Sequence, residues 1–295
     1  MKERSSGRYA LISMGFVCMA ATYLSGAIIH LSPTGDDAND GSGWDKAKGS
    51  VAGAVAAAEN NDTLLFTNGT YSITAWVEIK QGIALRSVNG PEVTIIDAGA
   101  AAGRRVMNVA HDDAWIEGLT LQRGRTTTSS QAGGLHLSKG VVTNCIISAN
   151  KGYYYGGINM SGGLLTHSKI IDNHGNVTIA DAGGIYLTGG TVVSCLISNN
   201  QSNAYGSGIR MTGGTVRDCK IVNNVKPTHV SGSGGGLYMS GGLVERTLIS
   251  GNASPTTGGG VRQTGGTLRN CIIVNNRADG SGCGVYLSGS GTIEH

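Results

Sequence analysis

Proline is scarce in this 295-residue chain, at 4 residues, as are phenylalanine and tryptophan, at 2 and 3. Charged residues make up only 14%. Little proline, and glycine that does not recur at every third position, exclude a collagen-like helix. Disordered chains combine high charge with few apolar residues; 40% of this chain is apolar, which excludes that class too. No basic stripe is present. Of the formal charge of +3, Lys2, Arg4 and Arg8 with Glu3 supply +2, leaving +1 from Ile28 onward. Nucleic acid is therefore not an expected partner. Glycine is what the chain has in abundance, 49 residues, or roughly 17% against a usual value of about 7%. Each glycine inside a helix costs roughly 0.8–1 kcal/mol relative to alanine, so a helical bundle is excluded and a turn-rich β architecture remains.

The N-terminus reads as an export signal. A basic start, Met1–Arg8, runs into the apolar stretch Tyr9–Ile29, and Ser25-Gly26-Ala27 offers the small residues of a cleavage site. The stretch is longer than a usual signal core, so an uncleaved anchor is the alternative, and the membrane is a partner only through it. An exported protein, extracellular, cell-surface or periplasmic, is the expectation. Residues 1–27 form the leader and 28–295 one domain: an opening strand and cap (28–71), irregular first coils (72–132) and regular coils (133–295).

The regular coils are repeats. A pair of small residues opens a unit at Gly133, Gly156, Gly183, Ser207, Gly235, Gly259 and Cys283, at spacings of 23, 27, 24, 28, 24 and 24 residues. Seventeen residues after each of the six complete starts stands an asparagine: Asn150, Asn173, Asn200, Asn224, Asn252 and Asn276. A degenerate earlier unit aligns Ile116, Leu119, Leu121 and Gly124 with Val142, Cys145, Ile147 and Asn150. Within a unit, apolar residues alternate with period two between Gly-Gly and Asn punctuation, the signature of short strands rather than helices. Three strands and three bends in about 24 residues make one turn of a solenoid whose turns stack about 4.8 Å apart. The expected inward ladders are Ile185-Ile209-Leu237-Val261, Leu187-Met211-Met239-Gln263 and Ile197-Ile221-Ile249-Ile273. The asparagines are expected at a bend, in left-handed backbone, with their amides stacked along the axis. Val51, Ala54, Val55 and Ala58 form one apolar helical face, suited to covering the first coil. The last unit stops before its asparagine, so the expectation is that either the chain is a fragment or another chain covers the uncapped C-terminal edge.

These units resemble the repeats of right-handed parallel β-helix proteins of the pectate-lyase-like superfamily, and more closely exported bacterial proteins with GG-[IV]-x-L…N-C-x-[IL]-x-x-N repeats. The segments Ile29–Asp37, Asn39–Ser42 with Trp44, and Ala54–Tyr71 are similar to the N-terminal part of that group. The resemblance implies an all-β right-handed parallel β-helix with a short N-terminal capping helix. It does not choose an activity, because this fold carries lyases, hydrolases, adhesins and surface repeats alike.

Cys145, Cys195, Cys219 and Cys271 share one position of the repeat, filled by Ser168 and Thr247 in other coils. A slot that accepts all three wants a small side chain in a tight interior, so these are expected to be structural thiols. Stacked parallel Cβ vectors suit a disulfide poorly, and no zinc spacing is present. Acidic residues are scattered through the repeats. Asp172 with Lys169, or Asp181 with His174, can be drawn as acid–base pairs, although a solvated surface pair is the plainer reading. No cofactor is expected, apart from calcium as an alternative for Asp36, Asp37, Asn39 and Asp40, whose spacing departs from an EF-hand. The Ser/Thr row at 138, 161, 188, 212, 240, 264 and 288 adjoins the Gly-Gly bend and reads as turn chemistry.

The outward positions of the first strand read His136, Asn159, Tyr186, Arg210, Tyr238, Arg262 and Tyr286. From Tyr186 onward, aromatic and guanidinium alternate. Tyrosine rings can stack on sugar faces and arginine can grip acidic groups, so Tyr186, Arg210, Tyr238, Arg262 and Tyr286 are the candidate glycan-binding residues. Stacking of Tyr on Arg without any ligand is the competing account. The expected function is a surface or secreted protein that binds or adheres to polysaccharide, acidic chains included, without catalysis; a polysaccharide lyase or glycoside hydrolase, and a structural segment assembling with another chain, are the alternatives.

Overall fold

The computed structural model describes residues 26–128, 131–175, 181–227 and 232–295. Up to residue 25 the expected leader lies outside the described residues. Among the described residues no helix is long and apolar enough to cross a membrane. The chain winds through about nine turns of an all-β parallel solenoid. Its first-strand sheet stacks Val77–Ile79, Met107–Val109, Leu135–Leu137, Ile158–Met160, Ile185–Leu187 and Ile209–Met211, then continues into Leu237–Glu245, Val261–Arg269 and Val285–Leu287. In Leu237–Glu245 and Val261–Arg269 the first and second strands fuse into one, with a register shift near Ser240. The third-strand sheet is separate and runs from Gly69–Ser72 to Ile272–Val274.

The core follows from the period-two pattern. Ile185 pairs with Ile209, Leu237 and Val261 in turn, Leu187 with Met211, Met239 and Gln263, and Ile197 with Ile221, Ile249 and Ile273, as the spacing predicts. Ile116 and Leu121 pair with Val142 and Ile147, so the irregular coil obeys the same ruler. Each fully buried Leu or Ile contributes about 1.5–3 kcal/mol.

The ladder asparagines form a continuous amide chain. Nδ2 of Asn150, Asn173, Asn200, Asn224 and Asn252 donates to Oδ1 of the next asparagine, at 3.0 Å in every step. Each Nδ2 also donates to a backbone carbonyl, as Asn200 does to Ile170 at 2.8 Å. One expectation is corrected. The left-handed residue is not the ladder asparagine but the one before it: Ala149, Asp172, Asn199, Asn223, Gly251 and Asn275. That residue turns the chain, so the following asparagine can point inward and spend its amide on its neighbours. The second residue of the small pair opening each unit is glycine and, from Gly134 to Gly260, faces this ladder. A Cβ on Gly184 would lie 2.5 Å from the Gly208 carbonyl oxygen and 3.0 Å from Asn200 Nδ2, so no side chain fits.

The cysteine slot is more specific than a small apolar pocket. Cys195 Sγ donates to the Val193 carbonyl at 3.2 Å, Ser168 Oγ to Thr166 at 2.7 Å and Thr247 Oγ1 to Glu245 at 2.9 Å. The same atoms accept from the preceding coil: Cys145 N donates to Ser168 Oγ and Cys219 N to Thr247 Oγ1, at 3.1 and 3.3 Å. Cys145, Cys195, Cys219 and Cys271 are free thiols. Burial pushes the Cys145 thiol up to about 12.

The one α-helix among the described residues, Val51–Ala57, is capped by Ser50, whose Oγ accepts from Gly53 N at 2.9 Å. Val51 and Ala54 turn inward against the first coils. The acidic group before it fastens this turn. Asp37 accepts from Gly49 N, Ser50 N and the Ser50 hydroxyl, while Asp36 and Asp40 bind the backbone of Ala38 and Ser42. The Ser50 hydroxyl, with the backbone bonds, holds the Asp37 carboxyl below its usual range.

Candidate functional site

The period of two that buries Leu187 turns its neighbour Tyr186 outward, and stacking then places equivalent outward residues in one row. That row is longer than the regular repeats imply. It runs Glu78, Asn108, His136, Asn159, Tyr186, Arg210, Tyr238, Arg262, Tyr286, each paired with the next across adjacent strands. At about 4.8 Å per step its eight steps span roughly 38 Å. Glu78 and Asn108 lie in the irregular first coils, outside the repeat ruler. Their signal in the sequence is the alternation Trp76-Val77-Glu78-Ile79 and Met107-Asn108-Val109.

The row has two halves of different chemistry. Toward the C-terminus it is a cation–π column. The Arg210 guanidinium lies 5.7 Å from the Tyr186 and Tyr238 ring centres and 5.1 Å from Tyr205. Arg262 lies 6.0 Å from Tyr238 and 5.2 Å from Tyr286. The Tyr186 ring is stacked on Tyr155, 4.3 Å away and within 1° of parallel. Tyr186 therefore lies between the Tyr155 ring and the Arg210 guanidinium, and Tyr238 has Arg210, Arg262 and Tyr205 as neighbours. Arg210 also forms an ion pair with Asp181. Burial raises the Asp181 carboxyl despite that partner. Arg210 thus spends part of its pairing capacity on Asp181 within the protein. Arg262 instead donates to Thr257 Oγ1 at 2.9 Å, and no ion pair to it occurs among the described residues.

The other half is polar. Glu78 Oε1 accepts from Asn108 Nδ2 at 2.5 Å, Oε2 accepts from Trp76 Nε1 at 2.8 Å, and Lys80 Nζ lies 3.6 Å away. Burial opposes ionisation here, but the Asn108 and Trp76 bonds with the Lys80 charge hold the Glu78 carboxyl below its usual range. Arg105, half-buried, donates through Nε to the Ala132 carbonyl at 3.3 Å. Burial, then the Arg105 charge, keeps the His136 imidazole below its ordinary value, although Glu78 pulls the other way. His136 Nδ1 and Asn108 Oδ1 have no hydrogen-bond partner among the described residues.

The acid–base pairs drawn from the sequence do not form. Asp181 binds Arg210 rather than His174, and Lys169 binds Glu92 at 3.3 Å rather than Asp172. His174 stacks instead between Lys151 and Gln201. Among the described residues no group of three His, Cys, Asp or Glu side chains is placed to hold a metal ion. The Ser/Thr row does bond to the preceding coil, as when Ser138 Oγ donates to the Val109 carbonyl at 3.2 Å.

The winding is that of an all-β parallel β-solenoid, with one row of outward groups along its first-strand sheet. Residues 176–295 match the family described as "Right handed beta helix region". No curated protein matches the chain. Among solved structures the chain is similar to pectate lyase Pel9A, with a TM-score of 0.62 and 17% identity over 90% of this chain and 77% of that one. This likeness is one of fold.

Proposed function

We propose that this is an exported protein that binds polysaccharide, acidic chains preferred, along the outer face of its first-strand sheet. The observation that carries the reading is the unbroken outward row from Glu78 to Tyr286, in register on successive strands. A straight row of hydroxyls, amides and guanidinium groups roughly 38 Å long matches an extended glycan lying along the axis, where weak contacts add. Arg262 is the cation on the column with a side of its chemistry left for an acidic sugar.

The test is a glycan array with product analysis on the mature chain. Native protein should retain long acidic glycans over their monomers, with affinity falling as salt rises, because exposed guanidinium contacts are screened over about 8 Å at physiological ionic strength. Arg262→Gln should weaken that binding and Arg125→Gln should not. Equal affinity in both variants would remove the column from the binding face. A polysaccharide lyase or glycoside hydrolase is the second reading, favoured by His136, whose imidazole is held below its ordinary value by burial and then the Arg105 charge, against Glu78. Release of unsaturated or reducing ends by the native chain would select it.

A further inference from the structure

Between the helix and the segment 72–81 lies a groove of about 630 Å³, lined by Val51, Ala52 and Val55 on one side and Ile73, Trp76 and Val77 on the other. Its size is that of a small-molecule site, and its walls are mainly apolar. Trp76 is 44% exposed at this groove. Its indole N–H is held by Glu78 Oε2, so the ring plane is fixed beside a carboxylate. Glu78 and Lys80 also line the groove, and Glu78 begins the outward row.

We propose that this groove is the end subsite of the glycan track, taking one pyranose with its C–H face on Trp76 and its hydroxyls on Glu78. The proposal rests on the polysaccharide-binding reading above. The chemistry favours a sugar held by neutral groups. An indole ring supplies an apolar face, and an ionised carboxylate has about four lone-pair sites, of which Trp76 and Asn108 take two and Lys80 approaches a third. A hydroxyl donor completes that set. An anionic ligand does not suit it, because the nearby Lys80 charge is already directed to Glu78 at 3.6 Å. The chain holds an internal comparison. Trp115 and Glu117 repeat the same arrangement, with Nε1 to Oε2 at 3.0 Å. There Glu117 is bound by Arg86 at 3.2 Å, and neither residue lines this groove.

The experiment is a tryptophan-fluorescence titration of the mature chain with the β-glucan, mannan and galactan hexasaccharides and hexagalacturonate, beside a direct binding measurement. Binding should change the emission of the native protein and of Trp115→Phe. The change should vanish in Trp76→Phe, which should keep the native unfolding midpoint because its side chain is exposed. Glu78→Gln should weaken binding tenfold or more, and Glu117→Gln should leave it unchanged. If a hexasaccharide binds and both Trp76→Phe and Glu78→Gln keep native affinity, the subsite is refuted while polysaccharide binding stands. If the native chain binds no glycan in either assay, both fall.

Discussion

Replacing Asn200 with alanine removes the centre of the amide ladder. Asn200 Oδ1 accepts from Asn173 N and from Asn173 Nδ2, both at 3.0 Å. Its Nδ2 donates to Asn224 Oδ1 at 3.0 Å and to the Ile170 carbonyl at 2.8 Å. After truncation Asn224 Oδ1 still accepts from the residue-200 backbone N–H, so that side is repaired. The Asn173 backbone N–H and one of its amide hydrogens are left without an acceptor, in a place where Asn200 is fully buried. Two orphaned buried donors at about 1–3 kcal/mol each give a loss of about 2–6 kcal/mol. At 2–4 °C per kcal/mol for a domain of this size, the thermal midpoint should fall by roughly 4–24 °C. Asn276, the ladder's half-exposed last member, receives the same two bonds from Asn252 at 2.9 and 3.0 Å. Water can replace it, so Asn276→Ala should cost less than half as much. Calorimetry on both variants decides the matter. Equal losses, or a loss under 1 kcal/mol for Asn200→Ala, would show that the ladder records stacking and does not hold the turns together.

Cys195→Ser should be tolerated, because Ser168 occupies the same slot with the same bonds. Cys195→Leu should cost about 1–3 kcal/mol by overpacking, read from urea unfolding midpoints; the reverse order would place the slot outside the core. Ala149 sits at φ 54°, where Gly251 stands in a later coil. Left-handed backbone costs a non-glycine residue about 1–2 kcal/mol, so Ala149→Gly should raise the midpoint, against the usual penalty for adding glycine. His136 and His174 are both held below the ordinary imidazole value, His136 by burial and Arg105 against Glu78, His174 by burial and Lys151. In the unfolded chain they take up protons first, so stability is full above about pH 6.5 and declines as pH falls from there toward their lower folded values. A His136→Gln, His174→Gln double variant should flatten this slope in a pH series of thermal melts, and an unchanged slope would refute the assignment. A separate decline should appear below about pH 4, where Asp218 loses the Arg246 hydrogen bond that depresses its carboxyl.

The winding, the inward ladders and the amide chain were legible because a stacked fold repeats its demands at fixed sequence intervals. The same logic placed Tyr186, Arg210, Tyr238, Arg262 and Tyr286 on one face before any coordinates. What spacing does not encode is contact between a coil and a loop of variable length. Asp181 reaches Arg210, Tyr155 covers Tyr186, and Tyr205 lies against both Arg210 and Tyr238, each from the segment between an asparagine and the next small-residue pair. Glu78 and Asn108 were missed for a related reason. Their coils keep the period of two but lack the glycine pair and the asparagine that mark the regular units.

Stacking identical turns puts like side chains above like, and charged residues then repel their own copies. Alternating Tyr with Arg resolves this on the first-strand sheet, as alternating Arg217, Glu245, Arg269 and Glu294 does on the second. The resolution has a consequence for function. Where alternation is complete, charge and ring lie against each other, as Arg210 lies against Asp181 and three tyrosines. Polar atoms without a hydrogen-bond partner among the described residues nevertheless occur in both halves of the row, Nε of Arg210 and Arg262 in the column and Asn108 Oδ1 and His136 Nδ1 in the polar end. A buried polar group left unsatisfied costs about 1–3 kcal/mol, so these atoms along one face are difficult to assign to stability. In the proposed glycan-binding role, both halves of the row would then keep polar atoms able to take a partner from the ligand, the guanidinium Nε atoms in the column and the amide and imidazole in the irregular first coils.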